Sequence, residues 1–363
     1  MKIGILTYHR SQNYGALLQA YALQDYIQSL GHDVSFVDYW PKYHAEMYKL
    51  FSLRKLRSLK GKSALQYIFN FFFTLIRLPL RRLKTKQFIK KYLRISSDTK
   101  FDLVVYGSDQ IWRKQHQPTF QWYNPVYFGD GFVDCPRKIA YAASMGHIEV
   151  DSDADSDFIR NSFDRFDAIS IRERDFVDFI SNKYGLDYPL VCDPVFLLDS
   201  TRWGEMVKEK YIPKKKYILY YRLQNLSDSD KMVESLAKMA DLEVVELRGY
   251  VPRFHYGRRY RFTANAEEMV SLIRGAEYIV TSAFHGIAMS LIFNKQFFYC
   301  SQDKQANRVA SLLGILGLQS RMYGNPEYVM DANSLIDYSK VNPILDDFAS
   351  RSRKWLIDNI QNA

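Results

Sequence analysis

Twice along the chain, short apolar runs rich in β-branched and aromatic residues alternate with stretches of helical period. No other feature constrains the fold as much. Parallel strands need a crossover that carries the chain back over the sheet, and a helix usually supplies it. The first series opens with the strand KIGILTY, the loop HRSQNYG, the helix ALLQAYALQDYIQSLG and the strand DVSFVDY. It continues through FDLVVYGSD, KIAYAASMG and FDAISIRERD as strands, the helix DFVDFISNKYG, and YPLVCDPVFLLD as the last strand of this half. The second series starts at KKKYILYYRL and alternates through LEVVELRG, EYIVTS and KQFFYCS as strands, with helices between them and after the last. The expected architecture is α/β: two Rossmann-like α/β domains, 1–198 and 199–345, facing a cleft, with a terminal helix over 346–363 packing back on the first.

The net charge of +10 is not spread along the chain. Residues 49–100 hold 15 Lys or Arg and one acid, Asp98, so the remainder totals −4. Within that segment ALQYIFNFFFTLIRLPL lies between basic clusters, and Arg77 and Pro79 interrupt the apolar run well short of the roughly 20 residues needed to span a bilayer. A basic helical insertion at about 45–95 is expected. Three readings of it stand: its apolar face packs on the protein with the basic face solvated, it lies on an anionic membrane surface, or it meets a polyanionic acceptor or nucleic acid. The pattern lacks the stacking motifs of a nucleic-acid groove. Three scattered cysteines without a C-x-x-C spacing suggest neither a disulfide framework nor a zinc site, and fit a reducing cytoplasm. No cofactor or metal is expected, since no second histidine lies at ligand spacing from His285.

Candidate site residues cluster where strands end. Asn13 and Gly15 lie at the N-terminus of the first helix, which favours an anion, although the same residues would serve an ordinary tight helix entry. Ser108 and Asp109 follow a strand in the same topological position and can be ligands or merely caps; Arg172 lies on that rim too. In TSAFHG, Ser282, His285 and Gly286 follow an apolar strand, and His285 would project from the first turn of the next helix. There it is a general acid/base facing the cleft or a satisfied structural histidine. Arg222 and Arg308 offer guanidinium groups for a carboxylate or phosphate. Asp38, Asp109, Glu173 and Asp193 are candidate carboxylates, none paired by local sequence.

The ordered set KIGILTYHRSQNYGALLQAYALQ, DLVVYGSDQIW, AYAASMG, AISIRERDFVDFI, VCDPVFLL, VTSAFHGIAMSLIFNKQFF and NRVASLLGILGL resembles the polysaccharide pyruvyl transferase family, from residue 2 to about 321. The resemblance implies a GT-B-like fold, with phosphoenolpyruvate as co-substrate and pyruvyl donor. The acceptor would be a sugar, galactose-like, of a cell-surface polysaccharide precursor, carried on a lipid and reached from the inner face of the cytoplasmic membrane. The product would be a cyclic ketal. It makes His285 the general acid/base, gives Arg222, Ser282, Gly286, Arg308 and Lys304 to the donor, and gives Asn13, Gly15, Ser108, Asp109 and Arg172 to donor or acceptor. Some members carry Arg two residues before the motif histidine, where this chain has Ala283. A GT-B glycosyltransferase using a nucleotide sugar, and a non-catalytic glycan-binding member of a polysaccharide assembly complex, share the same outline.

Overall fold

The computed structural model describes residues 1–46, 62–223, 227–248, 257–300, 306–328 and 330–361. Six strands, β1 (Lys2–Leu6), β2 (Asp33–Val37), β3 (Ile95–Ser96), β4 (Leu103–Tyr106), β5 (Arg137–Ala143) and β6 (Ala168–Ile171), form one sheet. They pair in the order β3-β2-β1-β4-β5-β6, all in parallel. A second parallel sheet has the order β11-β10-β7-β8-β9, built from β7 (Tyr217–Tyr221), β8 (Glu243–Leu247), β9 (Arg258–Arg261), β10 (Tyr278–Thr281) and β11 (Gln296–Tyr299). The chain is thus α/β with two doubly wound sheets, as the alternation predicts. Strand β9, RRYR, is polar and only half-buried, so no apolar run announces it.

The first helix, α1 (Tyr14–Ser29), is capped by the Asn13 side chain, which accepts from the Gly15 N–H at 3.0 Å. It reads as amphipathic, yet it is buried on nearly all sides, because the second half covers the face turned away from the first sheet. Tyr14 donates to the carbonyl of Ala264 (3.0 Å), and its ring lies 6.1 Å from that of Tyr221. A short helix, α2 (Lys42–Glu46), follows β2.

The insertion forms a 31-residue helix, α3 (Lys62–Tyr92), with Pro79 inside it; residues 47–61 lie outside those described. Its basic side chains are not simply solvated, because several bind acids and rings of the second half. Lys84 pairs with Glu268 (3.3 Å), Lys91 with Glu267 (2.8 Å), and the Arg77 guanidinium lies 3.7 Å from the Phe262 ring centre. Arg81 meanwhile donates to the carbonyl of Gln12 (3.1 Å), so α3 ties the two halves together. No helix among the described residues is long and apolar enough to cross a membrane.

The remaining helices are α4 (Asp153–Phe163), α5 (Arg174–Tyr184), α6 (Ser200–Gly204), α7 (Ser227–Ala240), α8 (Ala266–Gly275), α9 (Phe284–Ile292), α10 (Ala306–Ile315) and α11 (Tyr338–Gln361). The last packs on the first half: Ser352 accepts from the Cys192 N–H (2.9 Å), and Arg353 donates to the carbonyls of Phe196 and Leu197. One expected element differs. YPLVCDPVFLLD makes a single bridge, Leu190 to Ile171, and then turns as a 3-10 helix, Pro194–Leu197. Pro194 has no N–H for a ladder and Asp193 caps the turn through the Val195 N–H, so the segment leaves the sheet after one pair.

Candidate active site

Strand order reverses between β1 and β4 in the first sheet and between β7 and β10 in the second. Loops leaving the carboxyl ends diverge at such points and open a crevice. Here the two crevices share a cavity of about 210 Å³. Tyr8, Ser11 and Asn13 reach it after β1, and Asp109, Gln110 and Arg113 after β4. The second sheet supplies Tyr221, at the end of β7, then Ala283, Phe284 and His285 after β10, and Arg308 enters from α10.

Only Ser282 and Ala283 separate β10 from α9, so His285 sits in the first turn of that helix. It is 8% exposed, and its Nε2 lies 3.5 Å from Oδ2 of Asp193. The same oxygen accepts from Arg172 Nη1 at 2.7 Å, while Oδ1 accepts from the Val195 N–H at 3.1 Å. Arg172 also donates to Ser108 Oγ (3.1 Å) and to Glu173 Oε1 (3.0 Å), and Ser144 donates to that Glu173 oxygen (2.7 Å). Burial alone would raise the pKa of Asp193, but facing His285 and Arg172, and accepting from Val195, the carboxyl is held well below its usual range. A fixed anion therefore backs the histidine. The 3-10 turn that displaces the expected strand is what brings it there.

The opposite side of the ring meets α1. A Cβ on Gly15 would fall 2.0 Å from His285 Nδ1 and 2.5 Å from its Cγ, so the backbone of the first half fills the space beside the imidazole. Gly15 is required for that approach, and no positive φ is involved.

A family model described as Polysaccharide pyruvyl transferase matches residues 13–304. The chain belongs to that family. No curated protein matches. Among solved structures, the UDP-GlcNAc 2-epimerase of Methanocaldococcus jannaschii shares 9% identity, with 100% of both chains covered and a TM-score of 0.49. The S. aureus MnaA–UDP co-structure shares 13%, covering 97% of this chain and 90% of that one at 0.47. The glycosyltransferase SnogD of Streptomyces nogalater shares 13%, covering 98% and 99% at 0.43.

In this pyruvyl transferase family chain the structure brings His285, Asn13, Asp109 and Arg308 together at the cavity, with Gly15 packed against the His285 ring. Ser108 and Arg172 stand behind it as supports of Asp193, both buried. Arg222 is not brought to the cavity. Successive residues of a strand point to opposite faces; Tyr221 faces α1, and Arg222 turns to Glu246 (2.9 Å), Asp230 (2.9 Å) and the Tyr220 hydroxyl (3.0 Å). Ser282 Oγ accepts from the Leu223 N–H (3.0 Å), a link between strand ends. The Gly286 N–H is taken by the Ala283 carbonyl (3.0 Å), and a Cβ there would meet Thr281 Oγ1 at 2.5 Å, so Gly286 serves helix–strand packing. Lys304 lies outside the described residues. Arg222→Met is expected to lower the unfolding free energy by about 2 kcal/mol, since Arg248 and Arg258 still face Glu246. Calorimetric melting would check this loss.

Among the described residues, the guanidinium groups lining the cavity are those of Arg308 and Arg113. Burial, and then the neighbouring Arg172, pull the pKa of Arg308 below the ordinary arginine value; an anion placed beside it would offset that cost. The Arg113 guanidinium has no ion-pair partner among the described residues. Sequence reasoning missed it, although it lies only four residues beyond Asp109 in the same strand-end loop. The small, buried Ala283 also lines the cavity.

His44, from α2, lines the far wall between Tyr8 and Trp40, each ring centre 4.7 Å away. Burial pulls its imidazole pKa down to about 4, against an opposing pull from the Asp109 carboxylate. An unfolded histidine titrates near 6.5, so above that pH His44 contributes no pH dependence. As pH falls from 6.5 towards 4 the unfolded chain takes up a proton that the folded one refuses, and stability drops by about 3 kcal/mol. Chemical denaturation at pH 7 and pH 4.5 should show this loss, and His44→Phe should remove most of it.

Proposed function

We propose that the protein transfers pyruvate from phosphoenolpyruvate to two hydroxyls of one sugar in a cell-surface polysaccharide precursor, forming a cyclic ketal. The observation that carries this reading is His285, backed by the buried Asp193, in the lining of a small cavity that Arg113 and Arg308 also border, in a chain of this family. Arg113 and Arg308 suit the donor carboxylate and phosphate, because planar guanidinium groups bind such oxyanions in bidentate fashion. Asp193 holds the His285 ring in place. His285 then delivers a proton to C3 of the enol, and C2 gains the positive character that the first sugar hydroxyl attacks.

The C2–O bond to phosphate breaks as the second hydroxyl closes the ring. One of the two hydroxyl protons matches that taken up at C3, and the other leaves on phosphate as hydrogen phosphate, so atoms and charge balance. Asp109 and the Asn13 side chain border the same space and are placed to orient the acceptor hydroxyls. We assign the reaction to the reducing, cytoplasmic side, in keeping with Cys135, Cys192 and Cys300, all free.

The test supplies phosphoenolpyruvate labelled at the pyruvyl carbons, and separately a labelled nucleotide sugar, with a panel of galactosides as acceptors. Label entering glycan from phosphoenolpyruvate, with one phosphate released per label, is the expected result. Label entering only from the nucleotide sugar would overturn the assignment in favour of glycosyl transfer.

A further inference from the structure

Beside the catalytic cavity runs a second, larger hollow of about 780 Å³, between α3 and the loop after β1. The loop is the wall between the two: Ser11 and Asn13 line the cavity, Arg10 and Gln12 line the groove, and Trp40 borders both. On the α3 side Arg82, Lys86 and Lys90 recur every fourth residue, which places them in a row on one helix face. Arg94 continues the positive edge, and none of the groove-lining residues is acidic. Arg10 and Arg94 are already paired with Asp38 and Asp33, whereas Lys86 and Lys90 have no acidic partner among the described residues. Under this rim the floor is apolar, formed by Ile89, Leu93, Ile95 and the Trp40 ring. Leu80 and Leu83, about half exposed, extend the apolar character along the same helix.

A cationic row over an apolar floor, meeting the catalytic cavity at Trp40, suits one ligand chemistry: a diphosphate ester with a hydrocarbon chain on one side and a sugar on the other. We infer that this groove binds the alkyl diphosphate part of a lipid-linked acceptor, with Lys86 and Lys90 on the diphosphate, the chain along Ile89 and Leu93, and the sugar passing Trp40 towards His285. This rests on the pyruvyl-transfer reading for the role of the sugar, but the diphosphate site stands on the groove itself. The two lysines bring part of the insertion's positive charge beside the cavity, and strongly hydrated ammonium groups on flexible stems are suited to a phosphate that must come and go.

Calorimetric titration of the full chain with farnesyl diphosphate, kept below its aggregation concentration, tests the inference alongside inorganic pyrophosphate and farnesol as partial ligands. Farnesyl diphosphate should bind at least about tenfold more tightly than pyrophosphate, which lacks the chain. The double variant Lys86→Gln/Lys90→Gln should lose at least about tenfold of that affinity, while Lys100→Gln, outside the groove, should lose none. Equal affinity for pyrophosphate and farnesyl diphosphate would overturn the inference and leave a bare phosphate site. Unchanged affinity in the double variant would overturn it too. So would flotation with phosphatidylglycerol vesicles that the double variant abolishes while farnesyl diphosphate binding persists, since the lysines would then serve a membrane surface. Pyruvyl transfer to a soluble galactoside is measured separately; its absence, with diphosphate binding intact, would condemn the proposed reaction and leave the groove standing.

Discussion

His285→Gln is expected to lower the turnover of phosphoenolpyruvate by about 10³-fold at saturating donor and acceptor, the range typical of losing a positioned general acid. Glutamine keeps a polar side chain of similar reach, so the pairing with Asp193 and the packing beside Gly15 are disturbed little. The KM for phosphoenolpyruvate should therefore change far less than kcat, because Arg113 and Arg308 remain in the cavity. Phosphate release under single-turnover conditions isolates the chemical step. A rate within about threefold of wild type would remove His285 from the chemistry.

Gly15→Ala should come next in size, with a loss of about 10²-fold in kcat/KM, the scale of a displacement of about 1 Å at a reacting group. Alanine is the better helix former by roughly 1 kcal/mol, and Gly15 has ordinary helical φ, so nothing in the backbone opposes the change. The nearest opposition comes from the His285 ring, with Nδ1, Cγ and Cε1 all within 2.6 Å of the new methyl. Thermal melting of the single variant should accordingly fall, since either the ring or α1 must move. In a His285→Ala background the methyl has room. Gly15→Ala should then cost neither stability nor residual activity, and a second full loss in the double variant would show that Gly15 acts through something other than the histidine.

Much of this site was legible before any coordinates. The β-branched runs and helix entries placed Asn13, Gly15, Asp109 and His285 at strand ends, and parallel sheets bring strand ends to one edge. Asp193 was among the candidate carboxylates but without a partner, because its partner is 92 residues away and Pro194 had to break an expected strand to bring them together. Arg222 lies away from the cavity for a related reason. An arginine at the end of an apolar run looks like a ligand, but the face it takes depends on the residue before it, and Tyr221 had already claimed the cleft side against Tyr14. The basic insertion was legible as a helix and as the seat of the charge. Its ion pairs with Glu267 and Glu268 join segments more than 170 residues apart, and no local pattern carries that information.

The contact between Gly15 and His285 also bears on inheritance. The proton-bearing group is encoded in one half of the gene and the empty space it occupies in the other. A recombinant that joined this second half to a first half with any side chain at the position of Gly15 would keep its histidine, both sheets and both crevices, and still lose the site. The two halves can therefore diverge in sequence but cannot be traded freely between relatives, and a missing methyl group is the term of their partnership.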